Sequence, residues 1–355
     1  MNNFVVKYCY LLCLITFVCS PLQGGKNKDV WKEPVNLSIL NTTDDDFAPS
    51  WNIYENCLYY NTLIEGYSKF YVADSLADEY PKPAAGALNQ KGDNRSYICF
   101  DAEGRAYLTA FRMYTGRPYQ NIFEARKDRN GWTSPFPIDS LKSESFNAHP
   151  AVSPDGSVMA FASNRMPGRA DTDLWIAYRM ENGTWGNARP LNNLNTNGNE
   201  ITPFFASDDT LYFASDGLGG PGGYDIFMSV NIMGAWQNPY PVNSLNTRFN
   251  ESDFVILPNG TAVFASDKPG GKGKLDLYST SLEESKTVIQ QKQSELEIEI
   301  AAQVSSIRSF LDLKYNYYPV FSFILDDGTP ISSFAGHVAQ IEEQVPVNPD
   351  RKSVV

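Results

Sequence analysis

Apolar and polar positions alternate in short runs along most of the chain, as in LYFAS from Leu211, YDIFMS from Tyr224 and TAVFAS from Thr261. Asp-Gly, Asn-Gly and Gly-Gly pairs separate these runs, so the pattern predicts strands joined by tight turns. The runs also recur. SPDGSVMAFASNRMPGRADTDLW from Ser153, ASDDTLYFASDGLGGPGGYDIF from Ala206 and LPNGTAVFASDKPGGKGKLDLY from Leu257 align with Phe161, Phe213 and Phe264 in register, and Asp173, Asp225 and Asp276 fall together at steps of 52 and 51 residues. Between them TWGNARPLNNLNT (184–196) matches AWQNPYPVNSLNT (235–247), and the same signature stands early in the chain as VWKEPVNLSILNT (30–42). Weaker copies begin at Phe47 and Ser96.

Each unit holds three clear strands and a fourth, Pro-containing segment whose prolines suit an edge strand, where no ladder N–H is required. A four-stranded unit repeated about an axis is a propeller blade. The prediction is an all-β fold, a five-bladed β-propeller over residues 30–282, with three-strand cores starting near Phe47, Tyr97, Ala151, Pro203 and Phe254. Trp31–Asn41 reads as a fourth strand with no core before it, and the last core, Phe254–Leu282, has no fourth strand after it. One should complete the other, closing the ring with an N-terminal strand in the last blade and hiding both edges. The alternative is a linker at 31–41 and a sixth blade built from the tail.

The ends differ from the repeats. Residues 1–24 read as an export signal, with Lys7 followed by the apolar run YCYLLCLITFVC and a small-residue exit. Membrane association through an uncleaved N-terminal segment is the alternative. From Glu283 the repeat stops, and Val288, Leu296, Ile300, Val304, Ile307 and Leu311 predict a helix in a C-terminal extension, 283–355. Cys9, Cys13 and Cys19 fall in the signal, leaving Cys57 and Cys99, too few for a disulfide framework or a thiolate metal site. A net charge of −12 disfavours phosphate backbones, so nucleic acid is not an expected partner.

Ser153-Pro154-Asp155-Gly156, then Phe161-Ala162-Ser163, then Asp173-Leu174 resemble the hallmark of TolB-like propellers with WD-like repeats. The copy with Ser215-Asp216 and Gly219-Gly220-Pro221-Gly222-Gly223 before Asp225-Ile226 is similar to the variant in envelope proteins associated with outer-membrane-protein-A-like modules. The first two blades depart from the hallmark. The resemblance implies an exported scaffold, in the periplasm or at the outer-membrane surface, that contacts other proteins; the expected partners are envelope proteins or surface glycans.

Candidate chemistry is sparse. Beyond the signal the only histidines are His149 and His337, there is no Gly-x-Ser-x-Gly elbow, and the glycine run lacks the Lys-Ser/Thr of a phosphate loop. Two positions recur through the last three blades: Asn164, Asp216 and Asp267 after the second strand, and Asp173, Asp225 and Asp276 at the start of the third. Such repetition points to turn fixing. As a functional set they would form a ring of oxygen ligands for Ca²⁺ or a cationic group. The leading expectation is therefore a non-enzymatic scaffold with no cofactor. The alternative from another class is a carbohydrate-active, glycoside hydrolase-like enzyme, using axial carboxylates drawn from Asp101, Glu103, Glu200, Glu251 and Asp253.

Overall fold

A computed structural model describes residues 31–90, 94–114, 117–129, 131–168 and 170–282. The export signal and the C-terminal helix of the sequence reading lie outside these residues. The described part is a five-bladed propeller. Its blades are antiparallel sheets whose inner strands are Asp46–Asn52, Arg95–Phe100, Asn147–Val152, Glu200–Ser207 and Glu251–Ile256. The second and third strands follow in order outward, and short Pro-bearing segments such as Lys82–Pro83, Phe136–Pro137, Arg189–Pro190 and Tyr240–Pro241 form the outer edge. Proline is tolerated there because the edge N–H has no ladder partner.

The ring closes as the repeat order predicts. Val35–Asn36 pairs antiparallel with the last blade's third strand, Asp276–Ser281, in the register Val35↔Ser279, and Trp31 bridges Leu282. Trp31 and Leu40 are buried in the last blade and the closing seam, and the Trp31 ring meets Phe254 edge-on at 5.5 Å. Between blades, each seam is a layer of alternating apolar side chains from two facing sheets. Phe161, Phe213 and Phe264, the in-register phenylalanines, are each no more than 2% exposed. Cys57 and Cys99 are unbridged strand thiols.

The repeated polar signature has a structural use. In the loop before the fourth blade, Thr196 donates its N–H and hydroxyl to the Glu200 carboxylate at 2.9 and 2.7 Å, and Ser215 adds a third bond at 2.8 Å. Thr247, Glu251 and Ser266 repeat the arrangement, and Thr42, Asp46 and Thr62 form its counterpart at the closing seam. The preceding Asn of each Leu-Asn-Thr clamps a neighbouring strand end, as Asn246 does by accepting from the Ile226 N–H at 2.8 Å and donating to the Ile226 carbonyl at 2.9 Å. The glycine run is shaped by close approach. A Cβ on Gly220 would lie 2.1 Å from the Asp225 carboxylate, and one on Gly222 would lie 1.9 Å from the Phe249 carbonyl.

Candidate functional site at the propeller axis

Every inner strand carries a β-bulge, seen as a register shift at the same place in each blade. The bulges put five residues into the left-handed region: Ala48, Tyr97, His149, Thr202 and Asp253, with φ between 48° and 58°. None is glycine. Left-handed backbone costs a non-glycine residue about 1–2 kcal/mol, most of all a β-branched one such as Thr202. Strain repeated at one register needs support, and hydrogen bonds between blades supply it. The Ala48 N–H donates to Asp253 Oδ2 at 2.9 Å, the Asp253 N–H to Thr202 Oγ1 at 3.2 Å, and the Thr202 N–H to His149 Nδ1 at 3.2 Å. The ring continues through His149 N–H to Thr109 Oγ1 at 3.1 Å and Tyr97 N–H to Asn61 Oδ1 at 3.0 Å. Proline follows the bulge residue in three blades, at Pro49, Pro150 and Pro203, where no N–H is missed.

A cavity of about 470 Å³ is lined by all five bulge residues and by the inner strands as far as their first hairpin turns, including Trp51, Ile53, Asp101, Phe204 and Pro258. Among the described residues the lining contains no Lys or Arg. Its polar groups are unlike one another, because the five equivalent bulge positions carry a methyl, a phenol, an imidazole, a hydroxyl and a carboxyl.

The environments set their chemistry. Burial lowers the His149 pKa to about 3, so the ring is neutral. Its Nδ1 accepts the Thr202 N–H, which places the ring proton on Nε2. The ring also stacks on Tyr97, with centroids 3.9 Å apart. Burial raises Asp253 to about 6, opposed by the Ala48 N–H and the neighbouring Ser252 hydroxyl. Asp253 is 6% exposed, and its Oδ1 is buried with no hydrogen-bond partner among the described residues. Such an oxygen is costly and calls for an explanation.

The pH dependence of folding follows from these directions. Asp253 has a folded pKa above its unfolded one, so the native state binds more protons and stability falls as pH rises from about 4 to about 6. His149 has a lowered pKa and acts in the opposite sense, its contribution being lost as pH falls below 6.5. Asp253→Asn removes only the first component. Urea midpoints should show the variant gaining on the wild type by on the order of 2–3 kcal/mol between pH 4 and pH 7. An unchanged difference would mean that Asp253 titrates normally.

The repeat carboxylates occupy other places. Asp216 accepts from the Asn199 N–H and side-chain amide at 2.6 and 2.9 Å, and Asp267 holds Asn250 in the same way at 2.8 and 2.6 Å. Asn164 accepts the Phe146 N–H at 2.9 Å. Asp173, Asp225 and Asp276 are buried first residues of third strands, and the latter two accept N–H groups from the glycine loops. None of these six lines the axial cavity. Among the described residues no three His, Cys, Asp or Glu side chains are grouped to hold a metal ion. Of the carboxylates considered for an enzyme, Glu200 and Glu251 belong to the loop clamps, and Glu103 is an exposed partner of Arg105 at 2.9 Å. Asp101 lines the cavity, but its two oxygens accept five hydrogen bonds, from Glu103, Arg105, Tyr107 and Arg179. Asp253 is the one carboxyl in the bulge ring.

No family model matches the chain, and no curated protein matches it. Solved structures with a similar fold include an endo-arabinase from Bacteroides thetaiotaomicron, 14% identical, covering 72% of this chain and 99% of that one at a TM-score of 0.49. The catalytic domain of a GH62 α-L-arabinofuranosidase from Coprinopsis cinerea is 12% identical, covering 72% and 98% at 0.47. A putative TolB from Agrobacterium tumefaciens is 19% identical, covering 64% and 72% at 0.42. At these identities the likeness concerns the fold alone. The similar propellers include several glycoside hydrolases beside TolB proteins, so the likeness does not separate enzyme from scaffold, and the expectation of a non-enzymatic chain is withdrawn.

Proposed function

We propose that this propeller is a carbohydrate-active protein whose functional site is the axial cavity and whose functional carboxyl is Asp253. The observation that carries the reading is the bulge ring: one strained backbone conformation kept in all five blades, with a different side chain at each position. Structural positions in this fold repeat their residue type, as the Thr–Glu clamps do, whereas the axis varies it. A cavity of about 470 Å³ suits one or two sugar residues. The phenol of Tyr97, the imidazole of His149 and the Thr202 hydroxyl offer the mixed donors and acceptors that hydroxyl groups need. Trp51 and Phe204 supply apolar faces for C–H surfaces. The lack of Lys and Arg among the described lining residues disfavours phosphorylated or carboxylated ligands.

Hydrolysis by paired carboxyls would require two free carboxyls, and the bulge ring supplies only Asp253. Asp253 is therefore the residue on which turnover or recognition should depend. A glycan array of neutral and amino-substituted oligosaccharides, one to six residues long, should show binding or cleavage by the wild type. Asp253→Asn and Tyr97→Ala should lose it while keeping the fold. An array without signal, or variants with unchanged signal, would refute the reading.

A further inference from the structure

We infer that the axial cavity selects a ligand bearing a positively charged amino group, and specifically an amino-sugar, held against the Asp253 carboxylate. The inference rests on the saccharide reading above and adds the charge of the ligand.

The donors to Asp253, the Ala48 N–H at 2.9 Å from Oδ2 and the neighbouring Ser252 hydroxyl, are neutral, and Oδ1 has no hydrogen bond among the described residues. Buried carboxylates are ordinarily paired with a cation or with several donors, because removal from water costs several kcal/mol per charge. The same protein shows the ordinary case nearby. Asp101, also buried and also lining the cavity, is matched by Arg105 at 2.8 Å and Arg179 at 3.0 Å. Asp253 has no such match among the described residues: those that line the cavity include no Lys or Arg, and its histidine is neutral. A primary ammonium has three N–H donors in a compact charge, which suits one unfilled carboxylate oxygen. Tyr97 and Trp51 line the same cavity, and aromatic faces attract cations further. The net charge of −12 favours the approach of a cation.

The charged and titratable groups around Asp253 make a pH test readable. Tyr97 and Tyr224 are phenols raised by burial, and His149 is neutral above about 3. Asp101 is held ionised: its own burial opposes this, but the bonds from Arg105 and Arg179 outweigh it. Between pH 5 and 7 Asp253 is the member of this set that changes charge.

The experiment is a calorimetric titration of the folded protein with four probes: the glucosamine trimer with free amines, its N-acetylated counterpart, the glucose trimer, and ethanolamine. At pH 7 the free-amine trimer should bind ten- to a hundredfold tighter than the two uncharged trimers, the range expected of a charge-assisted hydrogen bond of about 1.5–3 kcal/mol. That preference should shrink at pH 5 and vanish in Asp253→Asn. Equal affinity for all three trimers would overturn the amino-sugar inference and leave the saccharide reading standing. A preference unaltered by pH and by Asp253→Asn would overturn it as well. Failure of every trimer to bind would overturn both. Ethanolamine binding as tightly as the free-amine trimer would keep the ammonium and remove the sugar.

Discussion

A chain that begins at Thr43 should aggregate, or melt well below one that begins at Lys26. Residues 31–42 supply the outer strand of the last blade, and their removal exposes the edge of Asp276–Ser281. Hydrogen bonds lost include Lys32 N–H to the Ser281 carbonyl and Leu37 N–H to the Leu277 carbonyl, both 2.9 Å. The Asn41 clamp on Leu277, at 2.8 and 2.9 Å, goes with them. Trp31, Leu37 and Leu40 are 4%, 8% and 1% exposed, so three large apolar side chains leave the core. At about 1.5–3 kcal/mol each, that loss is comparable with the whole stability of an ordinary domain. Equal melting temperature and solubility of the two chains would show that the segment contributes nothing to closure.

The second large effect is expected at Asp101. Its carboxylate side chain is 1% exposed and binds Arg105 within its own turn and Arg179 from the next blade, whose guanidinium also lies 4.5 Å over the Trp185 ring. Asp101→Ala leaves two largely buried guanidinium groups without their main counter-charge and empties the acceptor that orders the turn through the Glu103 and Arg105 N–H groups. Breaking a buried pair on one side costs about 3–5 kcal/mol. Glu103, 70% exposed in its side chain, is the control, and Glu103→Ala should stay within about 1 kcal/mol of wild type. Urea unfolding of both variants checks the contrast. An Asp101→Ala midpoint close to that of Glu103→Ala would mean that the network is no stronger than a surface pair.

The architecture was legible because repetition makes each blade an independent witness. Phe161, Phe213 and Phe264 mark one register, and the Trp-x-x-Pro-x-x-Leu-Asn segment gives away its edge position through prolines that a central strand would refuse. Even the closure could be read, from a fourth strand without a core at one end and a core without a fourth strand at the other. The axial site was not legible as a whole. His149 and Asp253 stand out as residues but not as neighbours, since the ring they share with Ala48, Tyr97 and Thr202 is made by backbone bulges, and bulge residues follow no side-chain pattern. A faint signal existed. Pro49, Pro150 and Pro203 occupy the same place within otherwise strand-like runs, and a proline inside an innermost strand marks a break in the ladder. The repeated carboxylates drew attention instead because they recur, and recurrence in this fold reports a hairpin or loop clamp such as Thr247–Glu251.

The position of a bound saccharide decides whether the axial cavity is the functional site. A crystal structure of the propeller soaked with the tightest-binding array oligosaccharide should place a sugar residue on the axis, between the bulge ring and the first hairpin turns, with a polar group of the ligand within about 3 Å of Asp253 Oδ1. A sugar bound among the glycine loops around Asp225 and Asp276, with the axis holding none, would move the functional site away from Asp253.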